Sequence, residues 1–340
     1  MSDVSECPGY RVGITFNLKR KKTDEYDDEQ AEYDSLSTIE AIGRAIKKAG
    51  CETVFIEADT ELPEKLQKLR PDIVFNIAEG KGGRGREAQV PSILNLYSIP
   101  FTGSDETTLC IALDKELTKR IVRSLRIKTP AFFIWKNKDA EIPSNLHYPV
   151  IVKPNAEGSS KGLLGISVAK NRRELTRILC EKWDRYRQPI LVEEYIQGRE
   201  FTVGVLGNGN SKRIFRPMEI IISPEGNPDH TRIYSFHVKN NFQKYVKYEC
   251  PATLDSETEE RMKSCSARIY EMLGCRDFAR IDYILSQNND IYFIEINPLP
   301  GLAPGYSDYP MLAEYNGMGY DELVKEILNC GLNRYGMPAV

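Results

Sequence analysis

The sequence predicts an α/β protein whose later part changes to α+β architecture. Two observations support this prediction. Strand-like and helix-like segments alternate over the first third of the chain, which implies a parallel sheet with right-handed crossovers. Further along, strand-like segments flank glycine-rich or polar turns, as in antiparallel sheets. Because 340 residues exceed one ordinary core, we expect three domains, at 1–112, 113–205 and 206–340.

The first domain is predicted from a β-α-β-α-β series. Ser37 and Glu40 have the spacing of a capping box, so we place the start of the first helix there. Ligands of parallel sheets bind beyond the carboxyl ends of the strands, where Asn17, Glu57 and the segment "NIAEGKGGRGRE" lie. The predicted elements are a strand at 11–17, a helix from Leu36 to Gly50, the strand "CETVFIEA", the helix "LPEKLQKL" and the strand "DIVFNIAE".

The other two domains are predicted from strand pairs and amphipathic helices. Their predicted elements are a basic helix at 112–127, a β-unit in "YPVIVKPNAEGSSKGLLGISVA", a helix around 171–182, a strand-rich "QPILVEEYIQGREFTVGVLG", strands around 214–222, a polar loop around 223–249, a helix at 256–273, a hairpin at 279–298 and a helix at 320–329.

Composition excludes several classes of protein. The net charge of −3 gives no bulk basic character for nucleic acid. The eight cysteines include no C-x-x-C pair, so neither a zinc site nor a disulfide framework is predicted. No signal peptide and no apolar run long enough for a membrane span are found. We therefore expect a soluble cytoplasmic protein without nucleic-acid or membrane partners.

The stretch "ARIDYILSQNNDIYFIEINP" at 279–298 has the apolar alternation of a hairpin, but four polar residues interrupt it. A two-residue loop at 288–289 sets Asp282 opposite Glu295 and Arg280 opposite Asn297. Because side chains alternate along a strand, all four then project from one face.

Two opposed carboxylates repel each other, and burial increases the cost. A hard cation removes this repulsion, and carboxylate and amide oxygens without histidine or cysteine suit Mg²⁺. The alternative is that all four side chains face solvent. The apolar residues of the opposite face favour the metal site; they are Tyr283, Leu285, Phe293 and Ile296.

A second motif is "KPNAEGSSKG" at 153–162, a turn between two apolar strands. Gly158 and Gly162 permit a close backbone approach, so that N–H groups can hold phosphate oxygens. Lys153 adds a positive charge. Turns of this composition are also common without a ligand, and the sequence has no G-x-x-x-x-G-K-[ST] motif. A third motif, "LVEEYIQGREF", has hydrogen-bond acceptors and apolar residues suited to a purine and a ribose. The alternative is that it is only a charged edge strand.

These motifs occur in an order that resembles the ATP-grasp fold, and within it the D-alanine–D-alanine ligase branch. The resemblance extends from about Arg11 to Leu328. Its most specific stretches are "FNIAEGKGGRGREAQVPSILNLYSIPFTGSD", "ALDKELTKR", "YPVIVKPNAEGSSKG", "VEEYIQGREFTV" and "ARIDY…FIEINPLPG".

The resemblance implies a role for each matching residue. Lys115, Lys153 and Ser160 would contact ATP phosphates. Glu193 and Ile196 would meet adenine, and Glu200 the ribose. Asp282, Glu295 and Asn297 would hold two Mg²⁺ ions, with Mn²⁺ as an alternative ion. The remaining roles are a γ-phosphate contact by Lys239, oxyanion stabilisation by Arg280 and the Gly301 backbone, substrate orientation by Ser159, and binding of the second substrate's carboxylate by Ser307.

The implied reaction joins a small-molecule carboxylate to an amine through an acyl phosphate. The resemblance also implies a homodimer. Because an acyl phosphate must be kept from water, the loop around 223–249 is interpreted as a lid.

The departures from the family concentrate at the substrate site. "NLKRKKTDEYDD" replaces a glycine-rich turn, Glu79 stands where histidine is usual, Asn240 replaces a lid tyrosine and Asp308 replaces an apolar residue. The substrates therefore need not be D-alanine. One hypothesis is that Glu79 or Asp308 pairs with a cationic group, while Lys81, Arg84 and Arg86 attract a carboxylate; these charges could equally lie on a solvated rim.

Three rival functions stay open at this point. Authentic D-alanine–D-alanine ligation is the nearest alternative. An ATP-grasp kinase would transfer the γ-phosphate to a hydroxyl, and a nucleotide-binding regulator would have no turnover. The acid, the amine and their chirality are not determined by the sequence.

Overall fold

The structure is a computed structural model that describes residues 9–20, 30, 32–157, 167–223 and 245–340. Its strands form three sheets. The strands are β1 (Arg11–Phe16), β2 (Glu52–Glu57), β3 (Ile73–Asn76), β4 (Phe132–Trp135), β5 (Val150–Pro154), β6 (Ser167–Ala169), β7 (Ile190–Glu194), β8 (Gly198–Leu206), β9 (Arg213–Ile214), β10 (Met218–Ile222), β11 (Val246–Glu249), β12 (Phe278–Ser286) and β13 (Ile291–Asn297).

The helices pack on the faces and ends of these sheets. They are α1 (Leu36–Lys48), α2 (Leu62–Leu69), α3 (Gln89–Leu96), α4 (Glu106–Leu113), α5 (Lys115–Ser124), α6 (Arg172–Tyr186), α7 (Ser256–Met272), α8 (Asp308–Tyr315) and α9 (Tyr320–Arg334). Among the described residues, every helix is too short or too polar to cross a lipid bilayer.

The N-terminal sheet is parallel, in the order β2-β1-β3, as predicted from the alternating pattern. The predicted cap of α1 was wrong. Ser35, not Ser37, is the N-cap, and its hydroxyl accepts a hydrogen bond from the Thr38 amide. Ser35 and Ser37 lie within one turn of each other. The N-cap is the serine with an extended backbone, which is Ser35. Gly50 follows the helix with φ of 89°, as expected of a residue just past a C-cap.

The central sheet is antiparallel, in the order β4-β7-β5-β6, and α6 covers it. Its core contains Trp135, Val152, Leu175 and Val192. The strand β4 and the helices α3, α4 and α8 were not predicted, because each is too short for a periodic pattern to repeat. The prediction of a polar loop at 223–249 was wrong at its end, where residues 246–249 form β11.

The third sheet has the order β11-β10-β8-β12-β13, with β9 paired to β8. Only residues 195–197 separate β7 from β8, yet these strands lie in different sheets. The chain therefore passes from the central sheet to the third sheet within one short connection. As a result, Glu193 belongs to one sheet and Glu200 to the other.

The hairpin of β12 and β13 has the predicted register at its polar end. Asp282 lies opposite Glu295, and Arg280 lies opposite Asn297. The predicted two-residue loop was wrong: Ser286 faces Asp290, which leaves three residues in the turn. A β-bulge follows at 282/283 and compensates for the longer turn, so the outer pairs keep the register that a two-residue loop would give.

Candidate active site

A cavity of about 560 Å³ lies between the N-terminal α/β unit and the third sheet. Its walls come from the segment 32–38, the start of α5, the polar end of the hairpin and the segment 297–308. The lining residues from the predicted site are Glu79, Lys115, Arg280, Glu295, Asn297, Gly301, Ser307 and Asp308. The fold thus brings together residues that are more than two hundred positions apart.

The polar face of the hairpin forms one wall of this region. Asp282 is pinned from the neighbouring strand, because the Thr202 hydroxyl donates a hydrogen bond of 2.7 Å to its Oδ1. Asn297 donates through Nδ2 to Asp282 Oδ2 at 3.3 Å. The two side chains predicted to share a metal with Glu295 are therefore in contact with each other.

Arg280 lies between two carboxylates. Its Nε and Nη2 donate to Asp282 at 3.0 and 2.9 Å. Its Nη1 lies 3.3 Å from Asp308 Oδ2. Burial lowers the pKa of this guanidinium, but the nearby Asp282 and Asp308 raise it further, so the net shift is upward. Arg280 is therefore a fixed positive charge at the cavity wall.

Glu295 faces the amino terminus of α5. Lys115 Nζ lies 3.9 Å from Glu295 Oε2 and also donates to the Glu157 carbonyl. Burial by itself raises the pKa of Glu295, but Lys115 and Lys153 outweigh it and hold the pKa below its usual range. The carboxylate is therefore ionised at neutral pH and able to bind a cation.

The donor set fits a hard divalent cation. Asp282 and Glu295 provide carboxylate oxygens on one face, and Asn297 provides an amide oxygen next to them. Among the described residues no three His, Cys, Asp or Glu side chains form a closed cage. A set of two acids and one amide leaves positions for water and phosphate oxygens, which is how Mg²⁺ is usually bound beside a nucleotide.

Lys115 is placed by the chain that follows β5. Asp114 caps α5 by accepting from the Leu117 amide. Asn155, directly after β5, donates to the same Asp114 oxygen and accepts from the Glu116 amide. The end of β5, which carries Lys153, and the start of α5, which carries Lys115, are thereby fixed beside each other.

Glu193 is buried between two lysines. Its Oε1 lies 2.6 Å from Lys153 Nζ, and its Oε2 lies 2.9 Å from Lys119 Nζ. Burial raises the pKa of Glu193, but the two ammonium groups together lower it to about 2. Burial likewise lowers the pKa of Lys119 to about 8, although Glu193 opposes this shift. The group carries one net positive charge.

Ile196 and Glu200 lie on either side of the β7–β8 connection. Ile196 is buried, as an adenine edge contact requires. Glu200 lies two residues before Thr202 on β8, so its side chain shares the face that contacts Asp282. Burial, followed by the charges of Asp282 and Asp308, raises the pKa of Glu200 to about 8. The carboxyl group is therefore largely protonated at neutral pH unless a ligand donates to it.

Gly301 and Ser307 approach each other closely. A Cβ at Gly301 would lie 2.8 Å from Ser307 Oγ, which is too short for a real contact. Ser307 Oγ accepts from the Ala303 amide at 3.1 Å. Any other residue at 301 would therefore displace the Ser307 hydroxyl from its position at the start of α8.

The opposite end of the cavity is acidic. Glu32, Glu79 and Glu87 surround the buried Arg86, whose Nη2 donates to Glu32 at 2.9 Å. Burial raises the pKa of Glu79 well above its usual value, and Glu32 and Glu87 raise it further. Arg86 also donates to the Ala156 carbonyl at 3.0 Å, so it is held within the protein. The hypothesis that Arg86 attracts a substrate carboxylate does not fit these contacts.

The other predicted substrate cations lie elsewhere. Arg84 is paired with Asp114 at 2.9 Å, and Lys81 lines a second cavity of about 450 Å³ beyond the strands β1 and β2. Ser159, Ser160, Lys239 and Asn240 lie outside the described residues.

Sequence reasoning missed Lys119, Glu32 and Glu87. Lys119 had a usable signal, because it follows Lys115 by four residues on a predicted helix and so shares its face. Glu32 had none, because it lies in a charged stretch between the first predicted strand and the first predicted helix. Only the packing of that stretch on Arg86 brings it to the cavity.

The chain is similar to known proteins of one family. The family model "D-ala D-ala ligase C-terminus" matches residues 128–329. A D-alanine–D-alanine ligase of Aquifex aeolicus is 32% identical over 297 residues, which cover 86% of this chain and 94% of the relative.

Two solved structures share the fold. The structure of a Bacillus anthracis D-alanine–D-alanine ligase complexed with ATP has a TM-score of 0.75 at 22% identity. The alignment covers 96% of this chain and 99% of the Bacillus anthracis chain. That of the VanG D-Ala:D-Ser ligase of Enterococcus faecalis has a TM-score of 0.73 at 22% identity, and covers 95% and 99%.

The parallel N-terminal sheet and the two antiparallel sheets that follow it define an ATP-grasp protein. The relatives and the family model narrow this class to carbon–nitrogen ligases. The chain belongs to the D-alanine–D-alanine ligase family.

Proposed function

We propose that the protein joins a carboxylate to an amine in an ATP-dependent reaction through an acyl phosphate. One observation supports this most strongly. The opposed acids Asp282 and Glu295 lie beside Lys115 at the start of α5, and the positive charge of Lys153, on the central sheet, also lowers the pKa of Glu295. Such an arrangement can neutralise a triphosphate from both sides.

Each step has residues suited to it. In the first step, an oxygen of the substrate carboxylate attacks the γ-phosphorus and ADP leaves; Lys115 and Lys153 would hold the phosphate oxygens. Asp282, Glu295 and Asn297 would hold Mg²⁺, which when bound would neutralise charge on the transferred phosphoryl group. In the second step, the amine attacks the acyl carbon, phosphate leaves with the bonding electrons and the amine loses a proton.

Arg280 would stabilise the oxyanion of that second step, together with the Gly301 backbone. Two of its five N–H groups are donated to Asp282 and Nη1 faces Asp308 at 3.3 Å, which leaves one further N–H on each of Nη1 and Nη2. A guanidinium fixed in a water-poor site stabilises developing negative charge strongly, because it needs no rearrangement during the reaction.

The substrates are proposed to differ from two D-alanines. Glu79 lines the cavity where the family usually has histidine, and it lies with Glu32 and Glu87 around the single guanidinium of Arg86. An amine substrate with an additional cationic group would stabilise the ionised form of these carboxyl groups. Asp308 is a weaker candidate for the same role, because its carboxylate already faces Arg280. Authentic D-alanine–D-alanine ligation remains the second candidate, favoured by the 32% identical relative of that name.

The test is a matrix of carboxylates and amines with ATP and Mg²⁺, in which phosphate release and product mass are read together. A ligase releases phosphate and forms an amide only when both substrates are present. A kinase would leave the phosphate on the acceptor. A wild type as inert as the Asp282→Asn variant in every combination would favour a regulator and overturn the proposal.

A further inference from the structure

Asp308 is the charged residue that this chain carries where the family resemblance implies an apolar one. It is the first residue of α8, directly after the N-cap Ser307. Only 7% of its surface is exposed. A buried carboxylate needs partners within the protein or from a ligand, because burial of an unpaired charge is costly.

Two partners come from different elements. Arg280 Nη1 on β12 lies 3.3 Å from Asp308 Oδ2. The Tyr248 hydroxyl on β11 donates to Asp308 Oδ1 at 3.2 Å. Asp308, on α8, therefore links β12, which carries site residues, to β11, an edge strand of the same sheet.

The second carboxylate at Arg280 is Asp282, which is also one of the residues suited to hold a cation. The two oxygens of Asp282 cannot bind both the Arg280 guanidinium and a cation at full strength. When a divalent cation engages Asp282, the guanidinium loses part of this pairing. Asp308 is then the remaining carboxylate, among the described residues, that contacts Arg280.

We propose that Asp308 is a positioning residue, which holds the Arg280 guanidinium at the reacting centre while Asp282 is engaged by a cation. Asp308 itself need not touch the substrate. This proposal rests on the ligase function proposed above. It differs from the hypothesis that Asp308 binds a cationic substrate, because the two ideas predict changes in different kinetic constants.

The kinetic test uses Asp308→Asn, Asp308→Glu and Tyr248→Phe. Glu259→Gln is the matched control, since Glu259 is a mostly buried acid in a bidentate pair with Arg216, away from the cavity. For Asp308→Asn we expect kcat to fall by about tenfold or more, because a small displacement of a catalytic group has effects of that order. KM for both substrates should change by less than about twofold. Asp308→Glu should restore part of kcat, and Tyr248→Phe should lower it less. The control should keep the wild-type kcat.

Two kinetic outcomes would overturn the proposal. One is an Asp308→Asn enzyme with wild-type kcat. The other is a raised KM for the amine at unchanged kcat, which would assign Asp308 to substrate binding.

A structural test works even if no substrate pair is found, so it separates this proposal from the proposed function. Crystals of the wild type and of Asp308→Asn are grown with Mg²⁺ and a non-hydrolysable ATP analogue. We expect the Arg280–Asp308 distance in the wild type to stay below about 4 Å, within ion-pair range, while Asp282 turns to the cation. In the variant, the guanidinium should change its rotamer. An Arg280 side chain that leaves Asp308 in the wild-type complex would refute the positioning role.

Discussion

Glu193 and Lys119 form a buried ion pair, with 2.9 Å between Oε2 and Nζ, on the side of Glu193 away from its pair with Lys153. Neither side chain of the pair has more than 2% of its surface exposed. Lys119 also donates to the Thr129 hydroxyl at 3.0 Å. The residue predicted to meet adenine is thus a buried carboxylate fixed between two lysines.

Replacement of Lys119 with methionine should destabilise the fold and weaken nucleotide binding. We expect the free energy of unfolding to fall by about 2 kcal/mol, less than for a fully unpaired buried charge because Lys153 remains. The pKa of Glu193, about 2 in the wild type, should rise. Urea unfolding and the Kd for an ATP analogue measure both effects. Lys138→Met, which removes an exposed pair with Asp184, should change neither; equal effects in the two variants would contradict the prediction.

The Glu193–Lys119 pair also predicts how the free energy of unfolding changes at acid pH. The folded pKa of Glu193 lies below its ordinary value of 4.5, so its contribution is complete above about pH 4.5 and is lost as the pH falls towards 2. Because Lys119→Met raises that pKa, the variant should lose less stability over this interval than the wild type does. Unfolding free energies between pH 5 and 2.5 test this expectation, and parallel curves would argue against it.

Glu87 predicts a pH dependence of opposite sign. Burial, opposed by Arg86 and reinforced by Glu32, raises its pKa from 4.5 to about 7. The folded state therefore binds more protons than the unfolded state between these values, and stability decreases as the pH rises from about 4.5 to 7. Glu87→Gln should remove about 1 to 3 kcal/mol of this decrease. Glu181→Gln on the exposed face of α6 is the control; a wild type equally stable at pH 5 and 7 would show that the group titrates normally.

Asp282 predicts a metal-dependent increase in stability. ATP analogue with Mg²⁺ should raise the Tm of the wild type, because a ligand that binds only the folded state stabilises it. Asp282→Asn should lose most of this increase. Asp290 lies on the same hairpin but pairs with the half-exposed Lys128 outside the cavity. The Asp290→Asn variant should therefore retain the increase in Tm. If Asp282→Asn responds to Mg²⁺ and nucleotide as the wild type does, the metal assignment is wrong.

Glu79 predicts a change of substrate preference. Glu79→His introduces the residue usual in the family and removes one carboxyl group from the acidic end of the cavity. We expect KM to rise about tenfold for an amine with an additional cationic group, a change typical of one lost charge contact. KM for a neutral amino acid should stay the same or fall. Glu79→Gln separates charge from shape, and unchanged KM values in both variants would eliminate the cationic-substrate hypothesis.

The turn of the hairpin predicts a local effect on stability. Asn289 has φ of 58°, which asparagine tolerates better than most residues. Asn289→Ala should lower the unfolding free energy by about 1 kcal/mol, and Asn289→Gly should be nearly neutral. Asn288→Ala serves as the control at the adjacent position, where a negative φ imposes no such cost. A stable Asn289→Ala variant would mean that this turn adapts to another conformation.

Much of the site followed from local patterns. The opposition of Asp282 and Glu295 follows from strand alternation and a turn between two runs of apolar residues, even though the turn itself was one residue longer than predicted. The parallel order of the first sheet follows from the alternation of strands and helices. Both depend on interactions between residues close in sequence, which periodicity records directly.

Only the tertiary structure decided which charges meet. Nothing in the residues around Asp308 indicates that it contacts Arg280, and nothing in the stretch around Glu32 indicates that it packs on Arg86. The sequence alone determined the elements of the first sheet, the register of the hairpin at the site and the family. The pairing of distant charges required segments far apart in the chain to pack together, because burial and distance, rather than spacing along the chain, decide which carboxylate each cation stabilises.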